Sequence, residues 1–158
     1  MTHYWLMKSE PSCFSIDELR QRPEQIAPWD GVRNYQARNF MKNDMAVGDQ
    51  AFFYHSSCNP PGIVGIMEII SEAYPDDTAF DPTSDHPDAN STPENPRWFM
   101  VDVRLVKKFK EKITLETLKN QPELSQMPLL RRGNRLSITP VTAQEWGVIL
   151  NYSSKTSS

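Results

Sequence analysis

An α+β fold, with a curved mixed sheet or small β-barrel flanked by short helices, follows from three observations on this chain of 158 residues. Five apolar segments have strand length, at residues 3–8, 50–55, 62–70, 98–109 and 136–141. Two Ser/Thr-x-x-Glu capping boxes, Ser15/Glu18 and Thr142/Glu145, mark helix starts. No regular helical crossover separates one strand from the next, which argues against a doubly wound parallel sheet.

Residues 3–8 are aromatic-rich and stop at Ser9-Glu10-Pro11, because proline has no N–H for a ladder. Ser15 then opens a helix over residues 16–22 that Pro23 ends. A loop over residues 25–28 leads to Asn34, a good N-cap for a helix from Tyr35 to about Lys42. Val47-Gly48-Asp49 turns the chain into the strand at 50–55, which pairs antiparallel with the strand at 62–70. Residues 73–97 are rich in Pro, Asp, Ser and Thr, lack periodicity, and read as an irregular surface excursion. From 98 to 109 the chain alternates, with Phe99, Val101, Val103 and Leu105 opposed to Met100, Asp102, Arg104 and Val106. Thr114 caps a helix over 115–120, residues 122–127 form a helical turn, and the Thr142/Glu145 box starts a helix ending near Leu150. The domain reading is a single unit over residues 1–150 and a frayed polar tail over 151–158.

Net charge is −3, which by itself argues against coating nucleic acid through bulk electrostatics. Its distribution matters more. Glu68, Glu72, Asp76, Asp77, Asp81, Asp85, Asp88 and Glu94 follow one another without an intervening Lys or Arg, and the rest of the chain sums to +5. The basic residues cluster as Arg33, Arg38 and Lys42, as Lys107, Lys108, Lys110 and Lys112, and as Arg131, Arg132 and Arg135. Two cysteines, Cys13 and Cys58, fit a reducing compartment better than a disulfide scaffold. No secretory leader pattern opens the chain, and no apolar run approaches the roughly 20 residues that cross a bilayer. The expected location is intracellular, cytoplasmic in a bacterium and nuclear in a eukaryote, with no membrane partner.

The densest chemistry lies in Trp29-Asp30-Gly31-Val32-Arg33-Asn34-Tyr35-Gln36-Ala37-Arg38-Asn39, where an indole, a phenol, two guanidiniums and three amides crowd together. Large rings beside donors and acceptors suit a grip on a flat, hydrogen-bonding ring better than a plain core segment does. Three further segments end predicted strands with polar groups after apolar ones: Trp5-Leu6-Met7-Lys8-Ser9-Glu10-Pro11, Phe52-Phe53-Tyr54-His55-Ser56 and Arg132-Gly133-Asn134-Arg135-Leu136-Ser137. Such strand ends can open a pocket without cutting the core.

These strings, together with Pro-Gly-Ile-Val-Gly at 61–65 and Arg-Leu-Ser-Ile-Thr-Pro-Val at 135–141, resemble those of the EVE domain, in order, from Tyr4 to about Leu150. The resemblance implies a PUA-like fold related to the YTH domains that read methylated adenine in RNA. It also implies a reader that holds a modified base, methylated or hydroxymethylated, in an aromatic and polar pocket. The partner it implies is nucleic acid, DNA or RNA, carrying modified bases; protein partners are not indicated by any residue.

Carried over by motif, Trp29 walls the pocket, Lys8, Ser9 and Asn34 supply hydrogen bonds, and Tyr54, His55 and Ser56 form the opposite side. Stacking on an aromatic side chain is worth about 1–3 kcal/mol for any base, so selectivity must come from polar contacts and shape. Arg33, Arg38 and Arg132 are candidates for phosphate contact, with Arg38 equally able to pair with Asp30 as scaffold. Trp5 and Trp98, inside apolar strands, read as core. A hydrolase acting on a modified nucleoside, using His55 and Cys58, is the rival reading, and it lacks an orienting third group. A protein-interaction module using the acidic excursion is another. His3, His55, His86, Cys13 and Cys58 lack metal-ligand spacing, and neither metal nor cofactor is expected.

Overall fold

The computed structural model describes residues 3–134 and 136–156, with side chains to residue 153; Arg135 and residues 157–158 of the expected tail lie outside them. Seven strands form one mixed sheet: β1 (Tyr4–Ser9), β2 (Ile26–Trp29), β3 (Gln50–His55), β4 (Gly62–Ile69), β5 (Tyr74–Pro75), β6 (Phe99–Thr114) and β7 (Ile138–Val141). Their order is β2-β6-β4-β3-β1-β7, with β5 on the start of β6. The sheet is open, with β2 and β7 at its ends, so the mixed-sheet expectation holds and closure into a barrel does not occur.

Among the described residues only β1 and β3 run parallel, in the register Tyr4↔Gln50 through Ser9↔His55, while β3, β4, β6 and β2 follow one another antiparallel. A parallel neighbour needs a long connection. Here it contains α1 (Ile16–Gln21), β2, α2 (Tyr35–Asn39) and a π-helical turn over Phe40–Asp44. Both helix starts are capped as expected: Ser15 and Glu18 exchange bonds, and Asn34 Oδ1 accepts from Ala37 N at 3.0 Å.

Strand alternation splits the core into two layers. Trp5, Met7, Trp29, Phe53, Val101 and Val103 face α1 and α2. Leu6, Phe52, Tyr54, Ile63 and Phe109 face α3 (Leu115–Lys119) and α4 (Ala143–Thr156). Trp146 of α4 stacks on Phe52 at 4.0 Å and on Tyr4 at 4.5 Å between ring centres.

Three segments depart from the sequence expectations, the first being β6, which runs past residue 109 to Thr114 because its ladder with β4 continues to Gly62. Residues 26–29 form a strand rather than a loop, because Ile26–Trp29 finds a partner in Val101–Arg104 of β6. The last helix does not end near Leu150 but continues to Thr156, and Leu150, Tyr152 and the buried Ser153 keep it on the second core layer.

The seat of α1 rests on one buried imidazole. His55 Nε2 accepts from Ile16 N at 3.1 Å. Burial, foremost, and Lys112 and Lys108 push the His55 pKa below its ordinary value, against a smaller opposing pull from Asp17. A depressed histidine pKa means that the unfolded chain takes up the proton first as pH falls. The stability that neutral His55 contributes is present above about pH 6.5 and declines below it, down to the folded-state pKa. Denaturant unfolding at pH 7.5 and 5.5 should show a loss at the lower pH that His55→Gln, which keeps an acceptor but cannot titrate, largely removes. Equal pH dependence in the two proteins contradicts this role.

Candidate functional site

Where β1 and β2 end, they leave a cavity of about 400 Å³, within the range of small-ligand sites. Its lining includes Lys8, Ser9 and Glu10 from the end of β1, Cys13 and Phe14 from the turn after it, residues 28–34, Asp85 and His86 from the acidic excursion, and Ser137.

Strand ends and short bonds hold these pieces in place. Ser9 Oγ donates to Phe14 O at 2.8 Å, Ser56 N to Ser9 O at 3.0 Å, and Lys8 N to Ser137 O at 2.8 Å. Trp29 packs edge-to-face on Phe53 at 5.1 Å and on Phe14 at 6.2 Å. It is 5% exposed, so the expected wall is also core, presenting to the cavity only what Phe14 and Phe53 leave uncovered. Asn34 lines the cavity while its side-chain carbonyl caps α2, and among the described residues none accepts from its amide NH2, which is left for a ligand.

The far wall is Asp85 and His86, and what ties it to the loop after β2 is a residue behind it, Asp76, from the same excursion. Asp76 is fully buried and accepts from Gly31 N at 2.9 Å, Arg33 Nη1 at 3.0 Å, Thr78 N at 2.9 Å and Thr78 Oγ1 at 2.5 Å. Burial alone raises its pKa, but the bonds from Thr78, Gly31 and Arg33 outweigh that and hold it below the ordinary carboxylate range. Arg33 in turn donates to His86 O through Nη2 at 2.5 Å and Nε at 3.2 Å, and to Thr78 Oγ1 at 3.3 Å. Its guanidinium lies 5.7 Å from the Trp98 ring centre. These bonds bring His86 against Gly31, where φ is +77° and a Cβ would sit 2.7 Å from the His86 ring. Glycine is needed there for both conformation and space.

The structure gathers Lys8, Ser9, Trp29, Arg33 and Asn34 at one cavity and leaves the other expected residues elsewhere. Tyr54 belongs to the second core layer, where burial and then Cys58 push its pKa up to about 12. Lys8 reaches the cavity at the strand end, but its ammonium lies 6.0 Å from the Tyr54 ring centre, on that second layer. His55 holds α1, and Ser56 is committed through its N–H to Ser9; neither lines the cavity. Arg33 is consumed by Asp76 and His86 O and is not free for phosphate. Arg38 bonds Arg97 O at 2.8 Å and Asn39 Oδ1 at 2.8 Å, and stacks over Tyr35 at 4.8 Å, so it is scaffold, though not through Asp30. Arg132 is exposed and has no ion pair among the described residues.

Asp30, Phe14, Cys13, Asp85 and His86 of the lining, and Asp76 behind it, are site residues that the sequence did not single out, whereas Ser137 ends one of the expected pocket segments. One readable signal existed for the excursion. Asp76, Asp81 and Asp88 each accept, through Oδ1, from the backbone N–H two residues on, a turn signature that marks built loops. Asp88 also receives Trp98 Nε1 at 2.6 Å, so the acidic excursion spends three of its carboxylates, Asp76, Asp81 and Asp88, on internal bonds.

His55 and Cys58 do not form a catalytic pair. The imidazole Nε2 takes the Ile16 N–H, and the Cys58 thiol faces the His55 and Pro60 carbonyls at 3.7 and 3.5 Å. Among the described residues no group of three His, Cys, Asp or Glu is arranged to hold a metal ion. Nor is any described helix long and apolar enough to cross a membrane.

The model of the family described as "EVE domain" matches residues 3–152. The chain belongs to the EVE domain family. Mouse thymocyte nuclear protein 1 is 46% identical over 168 aligned residues, covering 96% of this chain and 74% of the mouse protein. A Leishmania major protein of solved structure superposes with a TM-score of 0.94 at 44% identity, over 100% of this chain and 98% of its own. The human THYN1 protein, solved in complex with DNA containing 5-methylcytosine, superposes with a TM-score of 0.90 at 44% identity, over 96% of this EVE domain and 98% of the human chain.

Replacing Asp76 by Ala strands the Gly31 N–H and Arg33, and should cost about 3 kcal/mol in urea unfolding. Asp76→Asn, which keeps acceptors but loses the charge, should cost less. A loss under about 0.5 kcal/mol for Asp76→Ala, the size of an ordinary surface change, contradicts the bridge.

Proposed function

We propose that this protein is a reader of modified bases in DNA, with the cavity between Trp29, Gly31 and His86 as the seat of the base. The observation that carries the reading is the likeness, over nearly the whole chain, to a human protein solved with 5-methylcytosine-containing DNA. The cavity supports it from the residues upward: an indole flank, an unused amide on Asn34 and a polar rim, in a volume that suits one base.

A base inside a duplex cannot reach such a cavity while stacked, so binding requires it to turn out of the helix. The methyl group adds apolar area on burial worth on the order of 1 kcal/mol, or about a fivefold preference. Phosphates then pass outside, where Arg131 and Arg132 stand exposed on the segment leading to Ser137. Few cations are engaged, and the affinity falls gently as salt rises. The compartment that follows is the one that holds the cell's DNA.

Fluorescence anisotropy with duplexes that differ in one 5-methylcytosine tests the reading. The wild type should bind the methylated duplex about fivefold more tightly. Trp29→Phe, which keeps an aromatic ring in the core but shrinks the wall, should lose most of that preference while still melting cooperatively. Equal, weak binding of both duplexes by both proteins overturns the reading.

A further inference from the structure

Cytosine and thymine differ along the edge that carries the exocyclic group: cytosine presents an N4 amine, a donor, where thymine presents an O4 carbonyl, an acceptor. A pocket that reads only a flat ring and a 5-methyl group accepts both, because thymine carries that methyl too. Some group in the cavity must therefore accept a hydrogen bond and repel a carbonyl.

Most acceptors near the cavity are engaged. Asp76 is filled by four donors, the Asn34 carbonyl caps α2, and the Phe14 and His86 carbonyls receive Ser9 and Arg33. Asp30 differs. It lines the cavity between Trp29 and Gly31, its residue is exposed, and among the described residues no other side chain or backbone N–H donates to its carboxylate. Its backbone is held on both sides, by Trp29 in β2 and by the Gly31 N–H on Asp76. Arg33, the nearest cation in sequence, is turned away to Asp76 and His86 O.

We propose that Asp30 is the residue that selects cytosine-type bases, its carboxylate accepting the N4 amine of a base seated in the cavity. The inference rests on the modified-base reading. Geometry and charge agree in it: Asp30 lines the cavity beside Trp29, and a carboxylate accepts from an N4 amine and repels an O4 carbonyl.

The test compares three otherwise identical duplexes with one central 5-methylcytosine·guanine, cytosine·guanine or thymine·adenine pair. Extruding thymine from its weaker pair is the easier step, so any preference against it arises in the cavity. The wild type should bind the 5-methylcytosine duplex about tenfold more tightly than the thymine duplex. Asp30→Asn, whose amide both donates and accepts, should bring that ratio close to one, with an unchanged melting temperature. Asp81→Asn removes the same charge from an exposed site outside the cavity lining and should leave the ratio alone. A wild type that prefers 5-methylcytosine over cytosine but binds thymine equally well overturns the inference and spares the reading. An Asp30→Asn ratio equal to the wild-type ratio does the same. A wild type indifferent to all three duplexes overturns both.

Discussion

The buried carboxylate of Asp76 is the contact on which the cavity depends. It joins the loop after β2, through Gly31 and Arg33, to an excursion more than forty residues away in sequence, through Thr78. Without it neither His86 nor Asp85 has a reason to stand near Trp29, and the cavity would be an open step at the end of two strands. A buried charge survives only when its bonds replace the water it has lost. Here two backbone N–H groups, a hydroxyl and a guanidinium do so, which is why an acidic residue can be rigid scaffold.

Behind that contact lies the sheet. The parallel pairing of β1 with β3 forces a long connection, and this connection carries α1, β2 and the Trp29–Asn34 loop. The cavity is thus built from the crossover and opens where β1 and β2 stop, while two packed layers keep the strands rigid beneath it. Trp29 sits at the joint, with its packing on Phe14 and Phe53 fixing the wall that it also provides.

Local chemistry was legible in the residues. Ser15/Glu18, Asn34, Thr114 and Thr142/Glu145 each cap the helix they announce, because a cap is decided within four residues. Trp29, Asn34, Lys8 and Ser9 meet at one cavity because strand ends and loops are where a cavity opens. What failed was non-local. Ile26–Trp29 carries Pro28 and no clear alternation, and becomes a strand only because β6 is there to pair with it. Tyr54 and His55 sit at a strand end beside Lys8 and Ser9, but their side chains are drawn to the second core layer and to Ile16, a choice that strand parity and the docking of α1 decide. Arg33 looked like a phosphate contact because nothing near it in sequence offers the partner it finds in Asp76.

The chemistry that results is a cavity with an apolar flank at Trp29, glycine-dependent closeness at Gly31 and His86, and a polar rim in which Asp30 and the amide of Asn34 stay available. As proposed, this cavity and no other surface receives the base. A crystal structure of the protein with a short duplex carrying one 5-methylcytosine tests it most directly. The methylated base should be turned out of the helix and seated between Trp29, Asp30 and His86; a base left stacked in the duplex, or held at any other surface, contradicts the proposal.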